Sequence, residues 1–411
     1  MDSLVYWIWL SLRCGAGSES GTYLLSQLGT PEEIYKASGD ALESIAGVPD
    51  ELKHALADKD LDLCKRILTY CDRANVSIMT CESGIYPERL RGIHAKPLLL
   101  YYKGKVPNID DNVLISVVGT RSCTEYGERT AYKFGAELAS GGAIVVSGMA
   151  AGIDAMAARG ALSVRGHTIA VLGCGIDTAY PPQNKELMEQ IMLCGTVITE
   201  YAPGTEPSGK NFPIRNRIIS GLSQATLVVE ADRYSGALIT AGRARSQGRD
   251  LFAVPGRIGE RESEGTNELI RHGAKIALSA KDILEEYELL YPHRIFTENI
   301  GDGERYVTSQ KTRVASSDMR IGDVVPPKYS RGKRASFVEP KHKAEPDTSY
   351  LTDREKAVYS VITGKMTSDE IRAAASSGGI ETDTGELLGI LTTLEIYGLI
   401  EAVPGGSYKR T

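Results

Sequence analysis

The residues best equipped for chemistry stand in Ser208-Gly-Lys-Asn-Phe-Pro-Ile-Arg-Asn-Arg-Ile-Ile-Ser220. Lys210, Arg215 and Arg217 surround one aromatic, Phe212, and Pro213 restricts the backbone between them. A cluster of cations is not buried in a core without partners. Ile218, Ile219 and Leu222 read as the start of a buried helix face. The cations are therefore expected where an irregular loop becomes a helix at Asn216. Backbone N–H groups and the helix dipole favour an anion at such a place.

The elements that must position this loop alternate strand and helix from about residue 112 to 285. Val113–Val118, Ala143–Val146, Thr168–Leu172, Val197–Thr199, Thr226–Glu230, Asp250–Val254 and Lys275–Leu278 read as strands. Continuous apolar runs of this kind suit parallel strands buried on both faces. Helices are expected over Glu128–Leu138, from Gly152-Ile-Asp154 to Leu162, over Leu187–Leu193, from Asn216, from Ser235 and over Asn267–His272. The fold class is α/β, a Rossmann-like doubly wound, mostly parallel sheet. In such a sheet the loops after the strands form the binding rim. Here they are Gly119-Thr120-Arg121, Ser147-Gly148 with Gly152, Gly173-Cys-Gly175, the basic loop, Ser235-Gly236 and Pro255-Gly256. One glycine after a strand is a tight turn. Several on one rim, with Arg121, Lys210, Arg215 and Arg217 converging, indicate a phosphate site.

The type of anion follows by exclusion. No GxxxxGK[ST] or GxGxxG is present, and the seven cysteines and six histidines complete no zinc spacing. No metal and no cofactor are expected. Asp154 and Glu230 are the acids nearest the rim. Salt bridges to the rim arginines are their first reading and general-base work the second. Without a nucleophile–base pair, binding is favoured over catalysis. Cations for a backbone and an aromatic for a base are the recipe for single-stranded nucleic acid. Phe212 either stacks on a base or plugs the core under the loop. The net charge of −6 means that such a site is a local patch. Scattered cysteines without a secretory signal indicate reduced thiols and a cytoplasmic location. Val5–Leu10 is too short to span a bilayer, so no membrane insertion is expected.

The rest of the chain falls into four further parts. Residues 1–75 read as a helical domain, with Thr30-Pro31-Glu-Glu33 as a helix start and Ile45-Ala-Gly-Val48 as a turn like that of a helix-hairpin-helix or SAM element. That turn is either a purely structural connection or a phosphate contact. Residues 76–111 connect to the α/β domain at 112–290, with Val76–Met79 and Leu98–Tyr102 reading as strands. Residues 291–350 lose apolar periodicity and read as a flexible basic linker. Residues 351–411 read as a winged helix, with Thr352 as a cap, a capping box at Thr367–Glu370, a third helix over Thr384–Ile396 and a hairpin at Pro404–Gly406. The third helix lacks Lys and Arg and carries Glu386 and Glu395, which disfavours duplex reading by it.

Several motifs together resemble the DNA-processing protein A family (DprA, also called Smf). They are Gly119-Thr-Arg121, Ser147-Gly-Met-Ala-Ala-Gly-Ile-Asp154, Tyr180-Pro181, Phe212-Pro-Ile-Arg-Asn-Arg217, Glu230-Ala231, Ser235–Ala241, Val254-Pro-Gly256 and Gly265–Ile270. The resemblance implies an extended Rossmann fold without nucleotide chemistry. It implies that the protein binds and protects single-stranded DNA, loads the RecA recombinase onto it during natural transformation and recombination, and is a homodimer. It implies that Arg121 contacts phosphate and that the Phe212–Arg217 loop supplies further contacts. With the rim residues, the expected DNA contacts are Gly119, Thr120, Arg121, Ser147, Gly148, Lys210, Phe212, Arg215, Asn216, Arg217, Ser235 and Gly236. Leu269, Ile270 and Ile276 are the expected dimer surface. One departure is Ala158, where the family often has histidine. The rival reading is a nucleoside-monophosphate phosphoribohydrolase-like enzyme, but Ser235–Ala241 does not supply the G-G-x-G-T-x-x-E type signature that it needs.

Overall fold

The computed structural model describes residues 2–300, 351, 353–377, 387, 390, 391, 394, 399–403 and 407–410. Two compact units are present, Met1–Val324 and Val325–Thr411.

The first unit opens with six helices: α1 (Asp2–Cys14), α2 (Ser20–Leu28), α3 (Pro31–Lys36), α4 (Gly39–Glu43), α5 (Asp50–Ala57) and α6 (Asp62–Arg73). The expected start at Thr30 is a full capping box, with Thr30 and Glu33 satisfying each other's backbone N–H groups. There follow β1 (Ser77–Thr80), α7 (Glu88–Arg91), β2 (Leu99–Gly104), β3 (Leu114–Val118), α8 (Glu125–Ser140), β4 (Ile144–Ser147), α9 (Ile153–Ser163) and β5 (Thr168–Leu172). Then come α10 (Lys185–Cys194), β6 (Thr196–Thr199), α11 (Asn211–Leu222), β7 (Ala225–Val228), α12 (Gly236–Ser246), β8 (Asp250–Ala253), α13 (Arg261–Arg271), β9 (Lys275–Ile276) and α14 (Ala280–Glu288).

All nine strands form one sheet in the order β1-β2-β6-β5-β4-β3-β7-β8-β9. The strands from β6 to β9 along that order are parallel, and β2 and β1 add antiparallel at one edge. The two strands expected in the connecting segment are present and extend the sheet, because Tyr101–Gly104 pairs with Thr196–Thr199. Alternation along β3 divides two cores. Leu114 and Val118 enter one shared with the N-terminal helices, while Ile115 and Val117 enter the other with α8 and α14. Residues 1–75 therefore have no core separate from the sheet's: Trp9, Leu24, Leu99 and Ile169 belong to one cluster.

The sheet order reverses at β3, which pairs with β4 on one side and β7 on the other. This is the switch point where such sheets open a crevice. Residues 291–300, expected to begin the linker, pack on this unit: Ile295 is buried and Phe296 N donates to Gly141 O at 3.0 Å. The remainder of that linker, 301–350, lies outside the described residues.

In the second unit, α15 (Asp353–Val361) and α16 (Ser368–Ser377) accompany β10 (Met366–Thr367), β11 (Ile400–Val403) and β12 (Ser407–Arg410), paired antiparallel in the order β10-β12-β11. The capping box at Thr367–Glu370 is present. Leu387, Ile390, Leu391 and Leu394 are helical and buried. Thr352, Pro404–Gly406 and most of the expected third helix, Glu386 and Glu395 included, lie outside the described residues. No helix among the described residues is long and apolar enough to cross a membrane.

Candidate nucleic-acid interface

A crevice of about 450 Å³ opens at the switch point. Gly119, Thr120 and Arg121 after β3 form one wall, Phe212, Arg215 and Asn216 of α11 a second, and Ser235 and Gly236 at the start of α12 a third. Arg121 is exposed, and its guanidinium lies 5.0 Å from the centre of the Phe212 ring. Phe212 also stacks on Tyr180, with ring centres 5.3 Å apart and planes 26° from parallel. The Phe212 ring is half-buried, its edge against Gly173. It packs into the wall and also presents aromatic surface to the crevice.

Helix α11 begins five residues earlier than expected, at Asn211 instead of Asn216. The first four N–H groups of a helix have no intrahelical partner, so Pro213 in the first turn sacrifices no bond. Phe212 thus projects from a rigid helix. Lys210 stands exposed at the N-cap of α11, at the crevice edge but not in its lining.

Arg215 and Arg217 correct the expectation of solvent-facing cations, since both are buried. Arg215 Nη1 donates to Gly148 O at 2.9 Å and to Val171 O, and its Nε to Asn216 Oδ1 at 3.3 Å. The guanidinium lies so close over Gly148 that a Cβ there would meet Nη2 at 2.5 Å. Burial pushes Arg215 down to about 10, against the opposing pull of Asp154. Arg217 lies on the other side of the helix and does not line the crevice. Its Nη2 binds both carboxylate oxygens of Glu200, at 2.7 and 2.8 Å.

The remaining predicted residues divide likewise. Ser147 and Gly148 lie behind the lining: Ser147 Oγ accepts from Met149 N at 3.2 Å, and Gly148 N donates to Asp154 Oδ2 at 2.8 Å. Asp154 is buried at the crevice floor, and burial holds its carboxyl above the usual carboxylate range against the Arg215 charge. Glu230 pairs with no rim arginine. It accepts from Thr124 N at 2.9 Å and Thr124 Oγ1 at 2.6 Å, fixing the start of α8. Ala158, at the position of that departure, is fully buried in the core and does not line the crevice. Tyr180 was legible as part of the Tyr180-Pro181 motif but not as the stacking partner of Phe212. Of the expected dimer residues, Leu269 and Ile270 are half-buried, whereas Ile276 is exposed on the edge strand β9.

The sequence model described as DNA recombination-mediator protein A matches residues 77–288. The chain belongs to this family. It is 33% identical over 414 residues to "Protein Smf" of Synechocystis sp., covering 98% of both chains. It is 43% identical over 203 residues to "DNA processing protein DprA" of Streptococcus pneumoniae, over 49% of this chain and 71% of that one. The X-ray structure of DNA processing protein A from Streptococcus pneumoniae superposes with a TM-score of 0.60 at 33% identity, over 69% of this chain and 97% of that one. The family's recombination-mediator function is one of DNA processing. The matched span carries all three walls of the crevice.

Proposed function

We propose that the protein is a non-catalytic binder of single-stranded DNA, acting in the cytoplasm. It holds and protects the strand and loads RecA recombinase onto it in natural transformation and homologous recombination. The observation that carries the DNA-binding part is the juxtaposition of an exposed Arg121 with the Phe212–Tyr180 stack in an open crevice of nucleotide size. In the free protein Arg121 covers the Phe212 ring. An incoming base takes that ring face, and the displaced guanidinium meets the phosphate. Stacking of this kind contributes about 1–3 kcal/mol per base. Ser235 and Gly236 open α12, whose dipole adds to the attraction for phosphate. Lys210 extends the positive edge. The second unit is proposed to be a winged helix. RecA loading rests on membership of a recombination-mediator family. The homodimer is proposed to form through the β9 edge, where Ile276 is exposed.

A salt titration of binding to oligo(dT) and to a duplex of equal length tests the proposal. Tight oligo(dT) binding that weakens steeply with salt is expected, with the slope shallower by about 0.7 for each phosphate contact removed. Preference for duplex, or wild-type binding by Arg121→Ala, overturns it. Release of free base from nucleoside monophosphates would support the enzymatic rival instead.

A further inference from the structure

Helix α11 has two working faces. Phe212, Asn216 and Ile219 line the crevice. Ile214, Arg217 and Gly221 form a stripe at i, i+3 and i+7, about half a turn away from the first. This second stripe faces the N-terminal part of the chain. A Cβ on Gly17, in the turn between α1 and α2, would meet Ile214 Cγ2 at 2.6 Å, and one on Gly221 would meet Leu90 Cδ2 at 2.9 Å. Between them Arg217 is held by Glu200, whose Oε1 also accepts from Gly17 N at 3.4 Å. Gly17 has φ +76°, so its turn is shaped to approach the helix as no side-chain-bearing residue would.

The two ends of α11 are secured differently. At its C-terminal end Arg89 donates to Leu222 O at 3.1 Å and Arg249 to Gly221 O at 3.1 Å. The first turns, which carry Phe212, are tied through Arg215 to Gly148 O and Val171 O on one side, and on the other meet the Gly17 turn and the Glu200–Arg217 pair. That pair is not built for maximal bonding, because Arg217 Nε and Nη1 are buried without a partner among the described residues. A buried ion pair of this kind is replaceable by apolar groups as far as stability goes, and its use lies in registering one element on another.

We propose that the α1–α2 turn is a positioning device for the nucleic-acid crevice: Gly17, acting through Ile214 and the Glu200–Arg217 pair, sets where α11 holds Phe212. The inference rests on the reading that the crevice binds single-stranded DNA. It gives the N-terminal helical region a role in affinity without a contact to the ligand.

The test uses the full chain and labelled oligo(dT), read by fluorescence anisotropy across a salt series, with thermal unfolding run alongside. The variants are Gly17→Ala, the double Glu200→Leu/Arg217→Met, Arg217→Lys and Arg121→Ala. Gly17→Ala and the double variant are expected to fold and to bind about tenfold more weakly, the size that coupling between packed neighbours reaches. Their salt slope is expected to equal that of the wild type, because no phosphate contact is lost. Arg217→Lys, which keeps the pair, restores most of the affinity. Arg121→Ala is expected to lower both affinity and slope. Should Gly17→Ala and a folded double variant bind as wild type while Arg121→Ala is impaired, the positioning role is overturned and the DNA-binding reading stands. A shallower slope for the double variant would also overturn it, since Arg217 would then contact phosphate. A wild-type chain that does not retain oligo(dT) overturns the underlying reading and the inference with it.

Discussion

Arg215 and Arg217 lie two residues apart on one helix, both buried, and are held by different kinds of partner. Arg215 is bound by main-chain carbonyls of two strand ends and sits near Asp154 at the crevice floor. Arg217 is bound by one side chain, Glu200, on the side facing the N-terminal helices. The difference teaches which of the two is replaceable. A carboxylate can be exchanged together with its arginine, but a backbone carbonyl cannot be removed. Arg215 therefore welds the loop after β4 and the end of β5 to α11, whereas Arg217 ties α11 to a neighbour that sequence change can alter.

The largest expected effect is that of breaking either set of partners alone. Arg217→Met leaves Glu200 buried and uncompensated, and a loss of about 3–5 kcal/mol in urea unfolding is expected. Adding Glu200→Leu should recover most of that loss. If it does not, the pair is more than a replaceable tie. Arg215→Met should destabilise by about 1–3 kcal/mol or more, since Gly148 O and Val171 O lose their donor. No second substitution at a neighbouring side chain is expected to restore it. Full rescue by Asp154→Asn would place the burden on the charge and collapse the contrast.

The two acids sharpen the comparison through pH. Burial raises the Asp154 and Glu200 carboxyls above their ordinary values, against the pull of Arg215 and Arg217 respectively. The native chain holds these protons more tightly than the unfolded chain does. The stability linked to them is complete below the unfolded carboxyl value, near about 4, and is lost as pH rises through the folded value. Asp154→Asn is expected to flatten the decline of the urea midpoint as pH rises above that point, and an unchanged profile would show that the shift has no energetic consequence. At the exposed edge the effects are smallest. Arg121→Ala should leave the urea midpoint in place and reduce only the affinity and salt slope for oligo(dT). Lys210→Ala should change the slope by less than Arg121→Ala, since Lys210 lies outside the lining.

Much of the parallel sheet was legible because its strands are short apolar runs, several of them closed by glycine. The rim loops were legible for the same reason, and Gly119, Thr120, Arg121, Ser235 and Gly236 do line one crevice. The start of α11 was misplaced because Pro213 reads as a helix breaker in one dimension, while in a first turn it is harmless. The two strands of the connecting segment were legible as strands, but their place in the sheet was not, because the antiparallel pairing of β2 with β6 joins residues almost a hundred positions apart.

What the sequence determined by itself is local: which stretches are strands buried on both faces, which loops can bring backbone N–H groups close to an anion, and which cations stand near an aromatic. Periodicity and residue size carry that information directly. Only the tertiary structure decided which arginine faces the crevice and which faces away. Residues two apart on a helix point about 200° apart, so one residue's shift in the helix phase relative to the sheet decides their surroundings. Their partners, Gly148, Val171 and Glu200, come from other strands and are brought near only when the sheet assembles.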